Sequence, residues 1–187
     1  MSDTDSKPTT YFIPALAGLY AALNPLAWPL LRGAVGLFLV PHGAQKLFGW
    51  WGGSSMDKWA ADLDKQGIRP GWLWAYVSVG AQFVGGLMLA AGFLTPLATV
   101  SLIGPMVVVI VQKWPKGFFN VRSGYEFMLT ILVIGVALAF TGPGAISVDA
   151  LIVFSLDLPV RVGIALVQII GALAAVLPAQ RAAVAAG

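Results

Sequence analysis

The sequence contains no cysteine and only one histidine, His42. Without cysteine the chain can form no disulfide, and it offers no thiolate to zinc or to an iron–sulfur cluster. A single histidine also excludes bis-histidine haem ligation and three-histidine zinc sites within one chain. We therefore predict no metal site and no cofactor built from the chain alone. Any redox centre must be a bound molecule or must lie on a partner protein.

Charged residues are also scarce. They make up 10% of the 187 residues, while 58% are hydrophobic, and the mean hydropathy is +0.84. Soluble domains carry about 25% charged residues, so this composition indicates a membrane protein whose main partner is the lipid bilayer. The net charge of +3 is spread along the chain without a basic run, which argues against nucleic acid as a partner. The polar N-terminus lacks the basic region of a cleaved signal peptide, so we expect retained helices to insert the chain.

The apolar runs predict an all-α membrane protein: an antiparallel four-helix transmembrane bundle, a surface amphipathic helix and an extra C-terminal helix. The predicted spans are 28–51, 72–93, 97–112, 125–140 and 159–178, and the amphipathic helix covers 56–63. The run 11–23 is too short to cross a bilayer and is predicted to be interfacial or re-entrant; the alternative is a bent first helix that continues to Leu31. The resulting divisions are 1–27, the bundle 28–144, and 145–187 with the fifth helix and tail.

Basic residues predict the orientation of the bundle. Lys and Arg lie in the loops after the first and third spans, and none lies in the turn after the second span or at 141–144. By the positive-inside rule, the two basic loops are cytoplasmic and the loop at 141–144 faces outward.

The first span carries ionisable side chains, although each costs several kcal/mol in hydrocarbon unless it finds a partner. At about 100° per residue, Lys46 falls within about 40° of Arg32, and His42 within about 80°. Small residues share this face, which is typical of a surface that packs on other helices. Pro41 leaves the carbonyl of Leu37 without a donor and predicts a kink that lets His42 face inward.

Two later spans add Gln82 and Glu126. Gly85 and Gly86 follow Gln82 at i+3 and i+4, so its amide should point toward a closely packed neighbour. We expect the polar side chains of the bundle to form one intramembrane ligand-binding pocket, with no catalytic residue assigned. The predicted pocket residues are Arg32, His42, Lys46, Gln82 and Glu126.

Each ionisable side chain in this group also has a structural interpretation. Arg32 and Lys46 lie near the membrane interfaces, where their heads can snorkel, and Arg32 can instead pair with Glu126 or another helix. His42 can hydrogen-bond a carbonyl that the kink frees. Glu126 can instead be an ordinary helix-start carboxylate, favoured by the helix dipole.

Several motifs occur together in a fixed order. They are Arg32 with GLFLVPHGAQKLFGWWGG, then GAQFVGGLMLAAGFLTPLA, GYEF and TGPGAISVD. Between Arg32 and Asp149 the sequence resembles the DoxX family of small bacterial inner-membrane proteins. The resemblance implies a multi-pass four-helix bundle in the inner membrane. Relatives often carry Glu where this chain has Gln82, and an amide can neither neutralise a cation nor relay a proton.

The resemblance also implies a function. Family members resemble a subunit of an archaeal terminal quinol oxidase and thiosulfate:quinone oxidoreductase, and others are similar to a mycobacterial protein that assembles with redox enzymes. The chain would then be a membrane subunit or anchor of a quinone-linked oxidoreductase system. His42 and Lys46 would hydrogen-bond a bound quinone, and Gln82 and Glu126 would orient them.

The implied partners are quinone or quinol, a soluble or membrane redox enzyme, and a second copy of the chain. Two other functions stay open. One is a non-catalytic scaffold, in which the polar residues hold the bundle together while the helix at 56–63 and the loop at 113–125 recruit partners. The other is a small-solute passage around helices broken at Pro41 and Pro105. The sequence leaves open whether the chain takes part in catalysis.

Overall fold

The computed structural model describes residues 12–185, which form helices and turns and no strand. The helices are α1 Ala17–Leu23, α2 Ala27–Phe48, α3 Met56–Lys65, α4 Gly71–Gly80, α5 Gly86–Ala91, α6 Thr95–Ala98, α7 Val100–Lys113, α8 Glu126–Thr141, α9 Val148–Leu151 and α10 Leu158–Ala185. A π-helical turn, Ala81–Gly85, joins α4 to α5. The prediction of an all-α membrane protein is confirmed.

Four helical stretches are long and apolar enough to cross a membrane. They are Pro14–Phe48, Gly71–Ala91, Thr95–Lys116 and Leu158–Arg181. Helix α8 is apolar but has only 16 residues. Helix α10 extends beyond its predicted end because it continues through Pro178.

The N-terminal apolar run continues into α2. Short 3₁₀ turns at Pro14–Leu16 and Asn24–Leu26 flank α1, and the helical stretch runs on from Pro14 to Phe48. A continuous helical stretch of this kind is what the bent-helix alternative predicts. Tyr11, the first residue of the predicted run, lies outside the described residues.

Helix α10 packs mainly on α7 and also contacts α8. Helix α2 packs along the Gly71–Ala91 span, and α7 packs against the π-helical turn, α8 and α10. A central core joins α2, α5, α6, α7 and α8; its buried members are Leu39, Leu89, Ala98, Leu102, Met106, Ile131 and Leu138. At the basic end of the bundle, α3 packs on α4, and its Leu63 shares a cluster with Val176 of α10.

Glycines bring the first two spans into backbone contact. A Cβ at Gly36 would lie 2.5 Å from the carbonyl oxygen of Gly86, and one at Gly43 would lie 2.7 Å from the backbone nitrogen of Phe83. Gly85 faces the next helix, since a Cβ there would lie 2.8 Å from Cβ of Ser101. Small residues are favoured where helices pack in membranes, because they let the two backbones approach closely.

Hydrogen bonds from Arg32 link α2 to the loop 142–147. The Arg32 guanidinium is buried, with Nη1 donating to the carbonyl oxygen of Pro143 and Nη2 to that of Ile146. These bonds supply donors to loop carbonyls that have no helical partner. Arg32 therefore neither pairs with Glu126 nor extends its head into the solvent.

Asp149 of α9, which follows this loop, links it to the turn before α6. Its side chain is fully buried and accepts hydrogen bonds from the backbone nitrogens of Leu94 at 2.6 Å and Thr95 at 2.8 Å. The carboxylate thus satisfies free N–H groups at the start of α6 and complements the helix dipole. Ser147 caps α9 by accepting from the backbone nitrogen of Ala150 at 3.1 Å. The TGPGAISVD motif is therefore a structural element at this end of the bundle.

The Gly36 contact gives a stability prediction with a control in the same helix. Gly36→Ala places a methyl group against the backbone of α5, and we expect it to lower the free energy of unfolding by about 1–3 kcal/mol. Gly33→Ala should be neutral or stabilising, because a Cβ at Gly33 has nothing within 4 Å. Unfolding of both variants in detergent measures the difference, and equal losses would contradict the assigned contact.

The Asp149 cap gives a second prediction. Asp149→Ala leaves two buried N–H groups without an acceptor, and we expect a loss of about 2–4 kcal/mol in unfolding free energy. Asp57→Ala removes an exposed acid from α3 and should change stability by less than about 1 kcal/mol. Thermal and denaturant unfolding of the two variants would refute the cap if Asp149→Ala were as stable as Asp57→Ala.

Candidate functional site

A cavity of about 290 Å³ lies between α3, α4, the π-helical turn, α7 and α10. Its wall is mostly apolar. The residues with polar side-chain groups in the lining are Lys46, Trp59, Trp74, Ser78, Gln82, Gln112 and Gln168. The cavity thus combines a hydrocarbon-like interior with a few hydrogen-bonding groups, as small-molecule sites do.

Small side chains and a proline keep this space open. Gly104 and Pro105 of α7 and Gly171 of α10 line the cavity, and a Cβ at Gly104 or Gly171 would meet nothing within 4 Å. Val77 and Val167 line it from α4 and α10 and are 46% and 71% exposed. The cavity is therefore not enclosed and is accessible beside these two residues.

Lys46 carries the charge of the site. Its Nζ donates to Oε1 of Gln82 at 3.2 Å and lies 4.3 Å from the ring centroid of Trp59. Among the described residues no carboxylate forms an ion pair with it. An amide dipole and an aromatic face stabilise the ammonium only in part, so a further acceptor would be favoured.

The π-helical turn places Gln82 beside Lys46. Gln82 is the second residue of this turn and is only 9% exposed. Single π-helical turns inside α-helices are frequent at functional sites because they displace side chains from the regular helical positions. Its oxygen is used by Lys46, and its amide nitrogen has no acceptor among the described residues.

Helix α3 covers the site from the membrane surface. Trp59 donates from Nε1 to Oγ of Ser78 at 3.0 Å, and Ser78 donates to the carbonyl oxygen of Ala75 at 3.0 Å. This chain of hydrogen bonds holds the indole in place over Lys46. The amphipathic helix predicted at the surface is therefore also one wall of the cavity.

Of the five predicted pocket residues, the structure brings together Lys46 and Gln82. Arg32 lies about 21 Å from Lys46 along α2, at the other end of the bundle. Glu126 accepts a hydrogen bond from the backbone nitrogen of Asn120 at 3.1 Å and so belongs to the loop before α8. Neither Arg32 nor Glu126 lines the cavity.

His42 faces outward, contrary to the expectation that Pro41 turns it inward. Helix α2 is continuous through Pro41, and the His42 side chain is exposed and lines no part of the cavity. Gly43 marks the line of contact with the second span. About the axis of α2, His42 is rotated by about 100° from Gly43 and therefore points away from the second span. Lys46 is rotated by only about 60° from Gly43, and its long, flexible side chain can reach the second span.

Of the five predicted pocket residues only two line the cavity, so its other lining residues were missed, among them the polar side chains of Trp59, Ser78 and Gln168. Trp59 had a signal, since it lies on the apolar face of the predicted amphipathic helix. Gln168 was visible as a rare polar residue in the last span. Ser78 had no signal that separates it from other small residues in a helix.

The arrangement can bind an amphipathic molecule whose polar group accepts hydrogen bonds. Lys46 donates from a site with apolar walls, and Gln82 adds a neutral amide. Within residues 12–185 no group of three or more His, Cys, Asp or Glu side chains is placed to hold a metal ion.

Comparison with known proteins identifies the family of this chain. No curated protein and no solved structure matches it. A family model described as DoxX matches residues 27–113, the segment from the first residue of α2 to the last of α7. That segment contains Lys46, Trp59 and Gln82 but not α10. With this match and the four long apolar helices, the chain belongs to the DoxX family of membrane proteins.

Proposed function

We propose that the protein is a membrane subunit or anchor of a quinone-linked oxidoreductase system in the bacterial inner membrane. The cavity beside Lys46 would hold the quinone head. The observation that carries this proposal is an ammonium group in an apolar cavity with no carboxylate partner among the described residues. A ligand oxygen at this position would complete the hydrogen bonding of Lys46.

The residues present fit a quinone. The walls suit an apolar ring, and Lys46 and the amide nitrogen of Gln82 can donate to a carbonyl oxygen. The cavity is accessible beside Val77 and Val167, where a quinone dissolved in the lipid would enter. A volume of about 290 Å³ is at the lower end of ligand pockets, so it suits a head group whose tail stays in the bilayer.

The chain itself would bind and orient the molecule. A bound quinone supplies the capacity to take up electrons and protons. Lys46 would hold one carbonyl oxygen, Gln82 would fix the ammonium in place, and Trp59 would shield the site from the aqueous surface. Electrons would come from a redox enzyme docked at the basic end of the bundle, where α3 and the loop 114–125 lie.

A non-catalytic scaffold is the second candidate, and one observation favours it. The helical segment 14–26 has no buried residue. It is nevertheless apolar, and large side chains such as Leu19 and Leu23 are about half exposed. Such a segment suits contact with lipid or another protein. If this candidate is right, deleting residues 1–26 dissociates a partner complex while substitution of Lys46 leaves it intact.

Quinone retention tests the leading proposal. The wild-type protein should purify with bound quinone, detected by solvent extraction and by its absorption spectrum. Lys46→Met should reduce the retained quinone at least about tenfold, because it removes a charged hydrogen bond. Lys58→Met, which removes an exposed cation from α3, is the control and should retain the wild-type amount. Absence of quinone from the wild type, or equal amounts in both variants, would refute the proposal.

A further inference from the structure

Gln168 of α10 is a buried polar group without a partner. Its side-chain nitrogen Nε2 and oxygen Oε1 are both inaccessible to solvent, and neither has a hydrogen bond within the described chain. Buried amides in native proteins are nearly always hydrogen-bonded, so an exception needs an explanation. Gln168 also lines the cavity, and a rotation of its flexible side chain would bring the amide to a molecule bound there, which could then supply the missing bond.

Gln168 and the Lys46–Gln82 pair lie on different walls of the cavity. Lys46 and Gln82 come from α2 and the second span, whereas Gln168 comes from α10, which packs on α7 and α8. A molecule that reaches both walls therefore needs polar groups at two separate positions.

The side-chain amides of Gln82, the first, and Gln168, the second, lie at a similar depth in the bundle. Gly85, one turn after the first amide, faces Ser101 of α7. Ala165, one turn before the second amide, shares a buried cluster with Ile103 of α7. The second span runs away from the basic end and α10 runs toward it, so both amides are displaced from α7 residues 101–103 in the same direction.

Resting on the proposed quinone site, we infer that Gln168 is a second hydrogen-bonding residue for the bound molecule, with Nε2 donating to the carbonyl oxygen farther from Lys46. The cavity then selects a flat apolar ring with acceptors on opposite edges, which is the chemistry of a para-quinone. A single-headed amphiphile such as a fatty acid would satisfy Lys46 and leave Gln168 unpaired. This selectivity depends on α10, which lies outside the matched segment 27–113.

The test compares two probes of similar shape on the full chain in detergent. The probe 1,4-naphthoquinone has two carbonyl groups, and 1-tetralone has one. We expect the wild type to bind the quinone about five- to tenfold more tightly, which is the usual effect of one added hydrogen bond. Gln168→Leu should remove this preference and leave tetralone binding unchanged. Lys46→Met should weaken both probes.

Gln180→Leu is the matched control in the same helix. Gln180 already donates to the carbonyl oxygen of Val111 at 2.6 Å and does not line the cavity, so the substitution should leave the preference between probes intact. Infrared spectra add a readout that a packing change would not mimic. Both carbonyl stretches of bound 1,4-naphthoquinone should be shifted in the wild type, and one should return to its unbound frequency in Gln168→Leu.

The outcomes separate the two proposals. Quinone binding that depends on Lys46 but is unchanged in Gln168→Leu would overturn the role of Gln168 and leave the quinone site standing. Equal affinity of the wild type for both probes would also overturn the role of Gln168 without affecting the quinone site. Failure of the wild type to bind 1,4-naphthoquinone would overturn both proposals, and binding of decanoate alone would identify a fatty-acid site instead.

Discussion

The backbone contact between α2 and the Gly71–Ala91 span determines where the polar groups of this protein lie. Gly36, Gly43 and Gly86 let the two helices approach until main-chain atoms would touch any added side chain. Because the helices are this close, Lys46 reaches Gln82 across the interface at 3.2 Å. The same packing leaves His42, next to Gly43, on the outer surface. Close packing of small residues thus decides which polar side chains share a site and which do not.

Two sets of polar side chains in the bundle differ in the hydrogen-bond partners that the described chain gives them. At the loop 142–147, Arg32 donates to loop carbonyls and Asp149 accepts from backbone nitrogens, so these charges stabilise the fold. In the cavity, Lys46 has no carboxylate partner and the Gln168 amide has no hydrogen bond within the part of the chain that the structure describes. Unsatisfied groups that share an apolar cavity indicate a binding site, since a ligand can recover the free energy that their burial costs.

Much of the fold could be predicted from the sequence because apolar run length and turn residues act locally. The predicted spans and the surface helix all correspond to observed helices. The site was harder, because it depends on helix rotation and on residues from distant segments. Lys46 and Gln82 were predicted from polarity beside glycines. His42 was misplaced because one residue of rotation, about 100°, separates an inward from an outward position. Gln168 could not be assigned because only tertiary packing brings α10 to the cavity.

The central claim is that a quinone head occupies the cavity beside Lys46. Photolabelling with an azidoquinone, followed by mass spectrometry of the peptides, tests it most directly. The account predicts labels on residues 74–82 and 167–175, the stretches from the second span and α10 that line the cavity. It also predicts that excess unlabelled quinone suppresses them. Labels confined to the outer surface of α2 around His42 would contradict the account.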